Sequence, residues 1–250
     1  MKNLILIAIL FNASIFADYS NHKDSKQVID ELVNQHGFEE SYVINVLKQA
    51  KKRKTALNSV ARPAEKTKTW DDYRAIFLKK KRISDGKKFI QNNITVLDRA
   101  EKEFGVPKEV ITAILGVETD YGNIMGSYRV IDSLTTLGFD DPRRSKFFKS
   151  ELIQFFILTR ENNLDILKVK GSYAGAMGYG QFISSSYRAY AIDFDGDGYV
   201  DLFNSLEDAI GSTANYLKRH GWKKEGSIVT RVYPNNCLLY TSDAADDVIS

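Results

Sequence analysis

The stretch PKEVITAILGVETDYG, residues 107–122, contains the pattern that decides the fold. Pro107 is typical of the first turn of a helix and Gly122 of its end, and apolar side chains recur between them at three- and four-residue spacing. Similar periodic runs occupy most of the chain, and no strand-rich block or internal repeat separates them. We therefore predict a mainly α fold with helices over 25–35, 39–52, 107–122, 142–162 and 205–220, and a further helix that Ser84 caps and Gly105 ends.

Glu118 lies on the apolar side of the central predicted helix, seven residues after Ile111 and four after Ile114. A carboxylate there loses part of its water, and the last turn of a helix disfavours negative charge, so both effects raise the pKa of this carboxyl. A carboxyl that stays protonated near neutral pH can act as a general acid. The structural alternative is a Glu at a fraying helix end, or one paired with Arg129 or a nearby lysine. Asp120 points elsewhere on the helix, which weakens the hypothesis of a glycosidase with two facing carboxylates.

The segment GSYAGAMGYGQF, residues 171–182, is rich in glycine and alanine. Small residues at this density allow the backbone to approach a ligand closely. The ending of a phosphate-binding loop and the dinucleotide fingerprint are both missing, so we expect no organic cofactor. Ser172, Tyr173 and Gln181 would supply neutral hydrogen-bonding groups suited to sugar hydroxyls and amides. A turn that serves only helix packing is the alternative.

The sequence DFDGDGYVDLFNSLE, residues 193–207, has aspartates at the first, third and fifth positions of a calcium-binding loop of the EF-hand type, glycine at the sixth, and Asp201 at the ninth, where it could act through water. Oxygen ligands at this spacing favour calcium over softer metals, whereas in a plain solvated turn the four aspartates would repel one another. Asn204 stands at the twelfth position, where a bidentate Glu is expected, and Glu207 could take that role in a longer loop. We predict one structural Ca2+ site, with ligands from Asp193, Asp195, Asp197, the carbonyl of Tyr199, and Glu207.

The composition excludes several classes of protein. The 250 residues include 35 Lys and Arg against 32 Asp and Glu, a balance too even for a domain that binds nucleic acid. The single cysteine allows no internal disulfide and no cysteine-based zinc site.

The two ends of the chain differ from the rest. Residues 1–17, MKNLILIAILFNASIFA, contain an apolar stretch shorter than the roughly 20 residues of a membrane span, so we predict a signal peptide cleaved after Ala17 and an exported protein, rather than an uncleaved anchor. No cysteine follows this segment, so we expect no lipid anchor. Residues 237–250, CLLYTSDAADDVIS, resemble the translation of a sequencing-library adapter, and we suspect that they are a non-native tail.

Several segments together are similar to the lytic murein transglycosylase B family. They are GVETDYG around Glu118, DSLTTLGFDDPRR at 132–144, the glycine-rich segment, the acidic loop, and AIGSTANYLKRHGW at 209–222. The resemblance implies a lysozyme-like α+β core at 96–236 behind a helical N-terminal region at 18–95, a periplasmic location, and a monomer that acts on the glycan strands of peptidoglycan. This chain departs from the family at 182–186, which read FISSS where the family tends to read FMPSS.

The same resemblance implies roles for individual residues. Glu118 would be the sole catalytic acid and base, cleaving the bond between N-acetylmuramic acid and N-acetylglucosamine and leaving a 1,6-anhydro end, with help from the acetamido group of the substrate. The substrate-binding positions would be Ser172 and Gln181 along the groove, Met177 and Phe182 in its walls, and Tyr73 and Tyr216 as aromatic residues of the cleft. Buried aromatic packing is the alternative for both tyrosines. A lysozyme-like hydrolase and a non-catalytic, calcium-stabilised peptidoglycan-binding protein remain open as other functions.

Overall fold

The computed structural model describes residues 18–61 and 68–228. The predicted signal peptide at 1–17 and the suspected tail at 237–250 lie outside these residues. The described part consists of helices and one small two-stranded sheet, which confirms the predicted mainly α class with a minor β element. In these two ranges, no helix has the length and apolar character needed to cross a bilayer.

A short 3-10 turn at Tyr19–Asn21 precedes the first α-helix. The antiparallel sheet pairs β1 with β2, so that Tyr128 lies opposite Gly171 and Arg129 opposite Lys170. The elements are α1 (Ser25–Asn34), α2 (Glu40–Gln49), α3 (Lys54–Ala61), α4 (Trp70–Phe77), α5 (Lys80–Asn92), α6 (Ile94–Phe104), α7 (Lys108–Thr119), β1 (Tyr128–Arg129), α8 (Val130–Asp140), α9 (Ser145–Glu161), β2 (Lys170–Gly171), α10 (Ser184–Tyr190) and α11 (Leu206–Arg219).

The helix that was predicted from Ser84 to Gly105 is wrong at its start and in its continuity. Ser84 lies inside α5 instead of capping a helix, because α5 already begins at Lys80. The run that was predicted to reach Gly105 breaks at Asn93, whose side chain donates a hydrogen bond to the carbonyl of Phe89 and so ends α5. A second helix, α6, then continues to the predicted end.

The helix α8 is absent from the predicted set, although it is buried along almost its whole length, from Val130 to Phe139. A helix that is covered on every side has no exposed polar stripe, so its sequence lacks the amphipathic pattern by which the other helices were predicted. It packs mainly against α9.

Two clusters of buried apolar residues hold the helices together. The larger joins α1, α2, α8, α9 and α10, and the smaller joins α5, α6, α7 and α11. Both clusters contain residues from each side of position 95, so they do not divide the chain there. The predicted boundary between the N-terminal region at 18–95 and the core at 96–236 stays a prediction. Helices of both clusters, α7 and α11 on one side and α10 on the other, meet at the cleft described below.

Asp132 on α8 fixes the N-terminal helices to the larger cluster. Its carboxylate is fully buried and accepts hydrogen bonds from the guanidinium groups of Arg53 and Arg129 at 2.5–3.1 Å, and from the backbone N–H of Lys51 at 2.9 Å. Two cations and one N–H compensate the buried charge. Arg129 is thereby engaged with Asp132, so the alternative in which it pairs with Glu118 is wrong.

Candidate active site

The helix α7 presents Glu118 just before a sharp reversal of the chain. Asp120 and Tyr121 follow with φ angles of 52° and 60°, in the left-handed region that bulky residues rarely adopt. Packing offsets this strain, because the hydroxyl of Tyr121 donates to the carbonyl of Arg82 at 2.8 Å and its ring occupies space that a Cβ on Gly116 would fill. The chain therefore turns away directly after Glu118 and leaves that side chain at the edge of a cleft.

The glycine-rich segment forms a tight hairpin beside this helix end. Met177 and Phe182 exchange two backbone hydrogen bonds of 2.9 Å, and Gly178 and Gln181 take φ angles of 70° and 51° in the turn between them. A Cβ on Gly178 would lie 2.4 Å from the carbonyl oxygen of Leu202. Glycine is therefore required here both by its φ angle and by the close approach of a second backbone segment.

Thr119 joins the helix end to the hairpin. Its buried hydroxyl donates to the carbonyl of Tyr179 at 2.8 Å, with the carbonyl of Leu115 as a second, longer acceptor at 3.1 Å, and it accepts from the N–H of Gly122 at 3.0 Å. One side chain therefore connects the residue next to Glu118 with the turn of the hairpin and with the chain reversal.

A cleft of about 390 Å³ lies between α7, α10, α11 and the hairpin. Glu118 supplies the only carboxylate among the described residues that line it, and it has no hydrogen-bond or ion-pair partner in the described part of the chain. Although Glu118 remains accessible to solvent, partial burial raises the pKa of its carboxyl above the ordinary value. Such a carboxyl is suited to donate a proton and to recover one. The lining residues are Ile114, Glu118, Gly180, Gln181, Phe182, Ile183, Ser186, Thr213, Tyr216 and Leu217.

Four of the seven predicted catalytic and substrate-binding residues meet in this cleft, namely Glu118, Gln181, Phe182 and Tyr216. The side-chain amide of Gln181 donates to the carbonyl of Gly178 at 2.9 Å and to that of Met125 at 3.2 Å, which fixes its orientation. The rings of Phe182 and Tyr216 meet edge to face, with centroids 5.7 Å apart. These aromatic side chains form an apolar wall near the carboxyl.

The other three predicted residues do not line the described cleft. The hydroxyl of Ser172 accepts hydrogen bonds from the N–H groups of Ala174 and Ala176 at 3.2 and 3.1 Å, so it organises the start of the hairpin segment. Met177 is fully buried in the larger cluster. Tyr73 lies on α4, where its ring contacts are with neighbours on the same helix.

Sequence reasoning missed two kinds of residue at this site. Thr213 lines the cleft one helical turn before Tyr216, and the three-residue spacing could have identified it. Glu151 on α9 acts from a distance, because its buried carboxylate accepts hydrogen bonds from the N–H and hydroxyl of Ser185 at 3.0 and 2.7 Å. This contact holds the start of α10, which carries Ser186 into the cleft, and no local pattern indicates it.

The acidic loop brings the carboxylates of Asp193, Asp195 and Asp197 together, with one oxygen of each lying within 4.8 Å of the others. The backbone folds around Asp193, which accepts hydrogen bonds from the N–H groups of two loop glycines. Three converging carboxylates on an exposed loop fit a hard cation with oxygen ligands. The side chain of Tyr199 is 74% exposed, which fits a contribution through its carbonyl, and Glu207 lies in the first turn of α11, outside the three-carboxylate cluster.

Asp208, which the sequence pattern did not single out, connects this loop to α11. Burial raises the pKa of its carboxyl, although hydrogen bonds from the loop backbone favour the charged form. Behind the loop, the carbonyl of Leu202 accepts the N–H of Tyr179 at 3.0 Å, so the loop supports the hairpin of the cleft. The N–H groups bound by Asp208 belong to Phe194, Asp195 and Asp201.

The chain is similar to known proteins both in sequence and in structure. The family model described as "Transglycosylase SLT domain" matches residues 20–247. The membrane-bound lytic murein transglycosylase B of Escherichia coli (strain K12) is 43% identical over 216 residues, which are 83% of this chain. The match covers 60% of that relative, so the chain spans less than two thirds of its length.

Two solved structures share the fold. The lytic transglycosylase Slt35 from Escherichia coli in complex with calcium has a TM-score of 0.78 at 42% identity, over 84% of this chain and 67% of the other. SltB3 from Pseudomonas aeruginosa in complex with NAG-NAM-pentapeptide has a TM-score of 0.68 at 30% identity, over 80% of this chain and 54% of the other. Because the family model matches most of the chain and the fold is shared, this chain belongs to the transglycosylase SLT domain family.

Proposed function

We propose that this chain cleaves the glycan strands of peptidoglycan as a lytic transglycosylase, with Glu118 as its only catalytic acid and base. The observation that carries the proposal is the position of Glu118, which is the single carboxylate of the described cleft, partly desolvated and unpaired. The activity named for the relative from Escherichia coli supports the same reaction class.

The reaction begins with the protonated Glu118, which donates its proton to the glycosidic oxygen between N-acetylmuramic acid and N-acetylglucosamine. As the bond from C1 to this oxygen breaks, positive charge develops at C1 of the muramic acid unit, and the acetamido oxygen of the same sugar stabilises it. This step replaces the second carboxylate that most glycosidases use. The absence of another carboxylate from the described lining is in keeping with such assistance.

The second step forms the anhydro ring. Ionised Glu118 takes the proton of the C6 hydroxyl, and O6 forms a bond to C1. The carboxyl returns to its protonated state and no water is consumed, so the products have the mass of the substrate. An apolar wall that contains Phe182 and Tyr216 limits the access of water to C1, and the fixed amide of Gln181 offers a hydrogen-bonding group to the sugar. Ser172 and Met177 act by supporting the hairpin. Tyr73 contacts a part of the glycan strand that lies outside the described cleft.

Calcium binding belongs to the same proposal. The ion is held by Asp193, Asp195 and Asp197, with the carbonyl of Tyr199 and Glu207 completing the set, and the charge it supplies compensates the repulsion among these carboxylates. Its role is structural, because the loop contacts the cleft through backbone rather than through the reacting groups. We propose further that the protein is exported to the periplasm and acts there as a monomer.

The test compares Glu118→Gln with the control Glu109→Gln, which changes an exposed glutamate in the first turn of the same helix. The chain is incubated with purified sacculi, and released anhydromuropeptides are measured by mass spectrometry. We expect Glu118→Gln to lower the release rate by about a thousandfold, because a carboxamide cannot donate the required proton, and Glu109→Gln to leave it unchanged. Equal release by both variants contradicts the assignment. Protein that sediments with sacculi but releases nothing in its unsubstituted form indicates a binding protein instead.

A further inference from the structure

A second cavity, of about 440 Å³, adjoins the catalytic cleft, and we call it the side pocket. Its volume lies in the range of pockets that bind small ligands. Gln181 links the two cavities: its side chain lines the cleft and donates a hydrogen bond at 3.2 Å to the carbonyl of Met125, which lines the side pocket. The lining residues are Met125, Gly126, Leu164, Asp165, Lys168, Val169, Lys170, Asp201, Phe203 and Asn204.

Within the described ranges, the charges of the side pocket leave one cation free. Lys168 pairs with Asp165 at 3.1 Å. The carboxylate of Asp201 accepts hydrogen bonds from two backbone N–H groups and from the amide of Asn204. Lys170 is the one charged lining residue for which the described part of the chain provides no partner, and its side chain is exposed at the strand β2.

The rest of the lining is apolar or amide-bearing. Leu164, Val169 and Phe203 are buried or partly buried against the larger cluster, and they give the side pocket an apolar floor. A ligand that combines a negative charge with apolar groups therefore suits this lining, and the contact between Gln181 and Met125 puts the side pocket next to a sugar bound in the cleft.

We propose that the side pocket binds the peptide stem of a muramic acid unit held in the cleft, with Lys170 binding the free carboxylate of the peptide. A peptide linked through its amino end to a sugar keeps a free carboxylate at the other end, and apolar side chains along it can pack on the apolar floor. The position beside Gln181 lets one substrate molecule occupy both cavities. This inference rests on the proposed function, since it assigns the second part of the same substrate.

The test uses two substrates that differ only in the stem. One consists of glycan strands that carry pentapeptide stems, and the other consists of the same strands after an amidase has removed the stems. For Lys170→Glu we expect kcat/KM on stem-bearing strands to fall by about tenfold, because the substitution replaces an attraction by a repulsion, and kcat/KM on bare strands to stay unchanged. An equal effect on both substrates, or no effect on either, overturns the proposal.

The matched control is Lys146→Glu, which makes the same charge change at an exposed lysine in the first turn of α9. That position is separated from the side pocket by about 20 Å of helix, and neither substrate should respond. Binding measurements separate this inference from the proposed function. If the chain cleaves neither substrate, titration calorimetry with NAG-NAM-pentapeptide and with the peptide-free disaccharide still tests whether the side pocket binds the peptide. Weaker binding of only the peptide-bearing ligand to Lys170→Glu supports the side pocket, and equal binding of both ligands to the unsubstituted chain contradicts it.

Discussion

Replacing Thr119 by valine removes the hydroxyl that joins the catalytic helix to the hairpin while keeping the shape of the side chain. The same substitution at Thr112 provides a matched control, because Thr112 lies two turns earlier on α7 and is also buried. The two hydroxyls differ in their partners. Thr119 contacts Tyr179 and Gly122, whereas the hydroxyl of Thr112 has no hydrogen-bond partner in the described chain.

The magnitude follows from the groups left without partners. In Thr119→Val the carbonyl of Tyr179 and the N–H of Gly122 both lose their hydrogen bond; both contacts are part-buried, and a group left unsatisfied on burial costs about 1–3 kcal/mol. Burial of the added methyl group offsets about 0.8 kcal/mol of this loss. We expect the free energy of unfolding to fall by about 2–4 kcal/mol. Thr112→Val removes an unpaired buried hydroxyl, so the free energy of unfolding should rise by about 1 kcal/mol.

Urea unfolding followed by circular dichroism measures both changes, and thermal melting should show a decrease of about 4–8 °C for Thr119→Val in a chain of this size. The release rate from sacculi should fall in the same variant, because the segment that follows Glu118 loses its anchor to the hairpin. Similar stability changes in the two variants would refute the reasoning, since only Thr119 connects the two segments.

Other consequences of the structure are testable in the same way. Ser184→Pro should raise the free energy of unfolding by about 1 kcal/mol, because Ser184 is the first residue of α10 and the preceding Ile183 already has the extended backbone that proline requires. The substitution also removes a buried hydroxyl that has no described partner. Ser185→Pro should lower the free energy of unfolding, because it removes the N–H that donates to the carboxylate of Glu151. The raised pKa of Glu118 means that the folded state binds more protons than the unfolded state above the ordinary carboxyl pKa, so stability falls as pH rises through this window. Glu118→Gln should therefore be more stable than the parent at neutral pH, and a urea series should show the difference vanishing below the ordinary carboxyl pKa. Calcium at a hundred times its dissociation constant should add about 2.7 kcal/mol to the free energy of unfolding, and a chelator should remove this gain. Asp195→Asn should abolish the stabilisation by calcium. If chelation leaves the melting temperature of the unsubstituted chain unchanged, the loop holds no calcium.

The sequence predicts the helices that have one exposed and one buried face, and it fails where this contrast disappears. The helix α7 is predicted because apolar residues such as Ile111 and Leu115 recur at helical spacing, and both are fully buried. In α8 polar side chains such as Asp132 and Ser133 are buried together with the apolar ones, so its periodicity carries no signal. The position of Ser84 shows the opposite error, since a residue typical of a helix cap lies inside α5.

The candidate site shows a similar limit. Glu118 could be singled out from its place on a helix, because helical spacing relates a side chain to a face. Met177 and Gln181 lie in a hairpin that contains residues with positive φ, where spacing does not determine which side chain enters the cleft. Gln181 lines the cleft and Met177 is buried behind it. Long-range supports such as Glu151 depend on packing that no local pattern contains.

The central claim is that Glu118 directs an intramolecular attack by O6 and that water takes no part. The most direct measurement is a digestion of sacculi in water labelled with heavy oxygen, followed by mass spectrometry of the muramic acid ends. The account predicts that the unsubstituted chain releases anhydro ends without label, and that Glu118→Gln releases no such ends. Reducing ends that carry one labelled oxygen would show hydrolysis and contradict it.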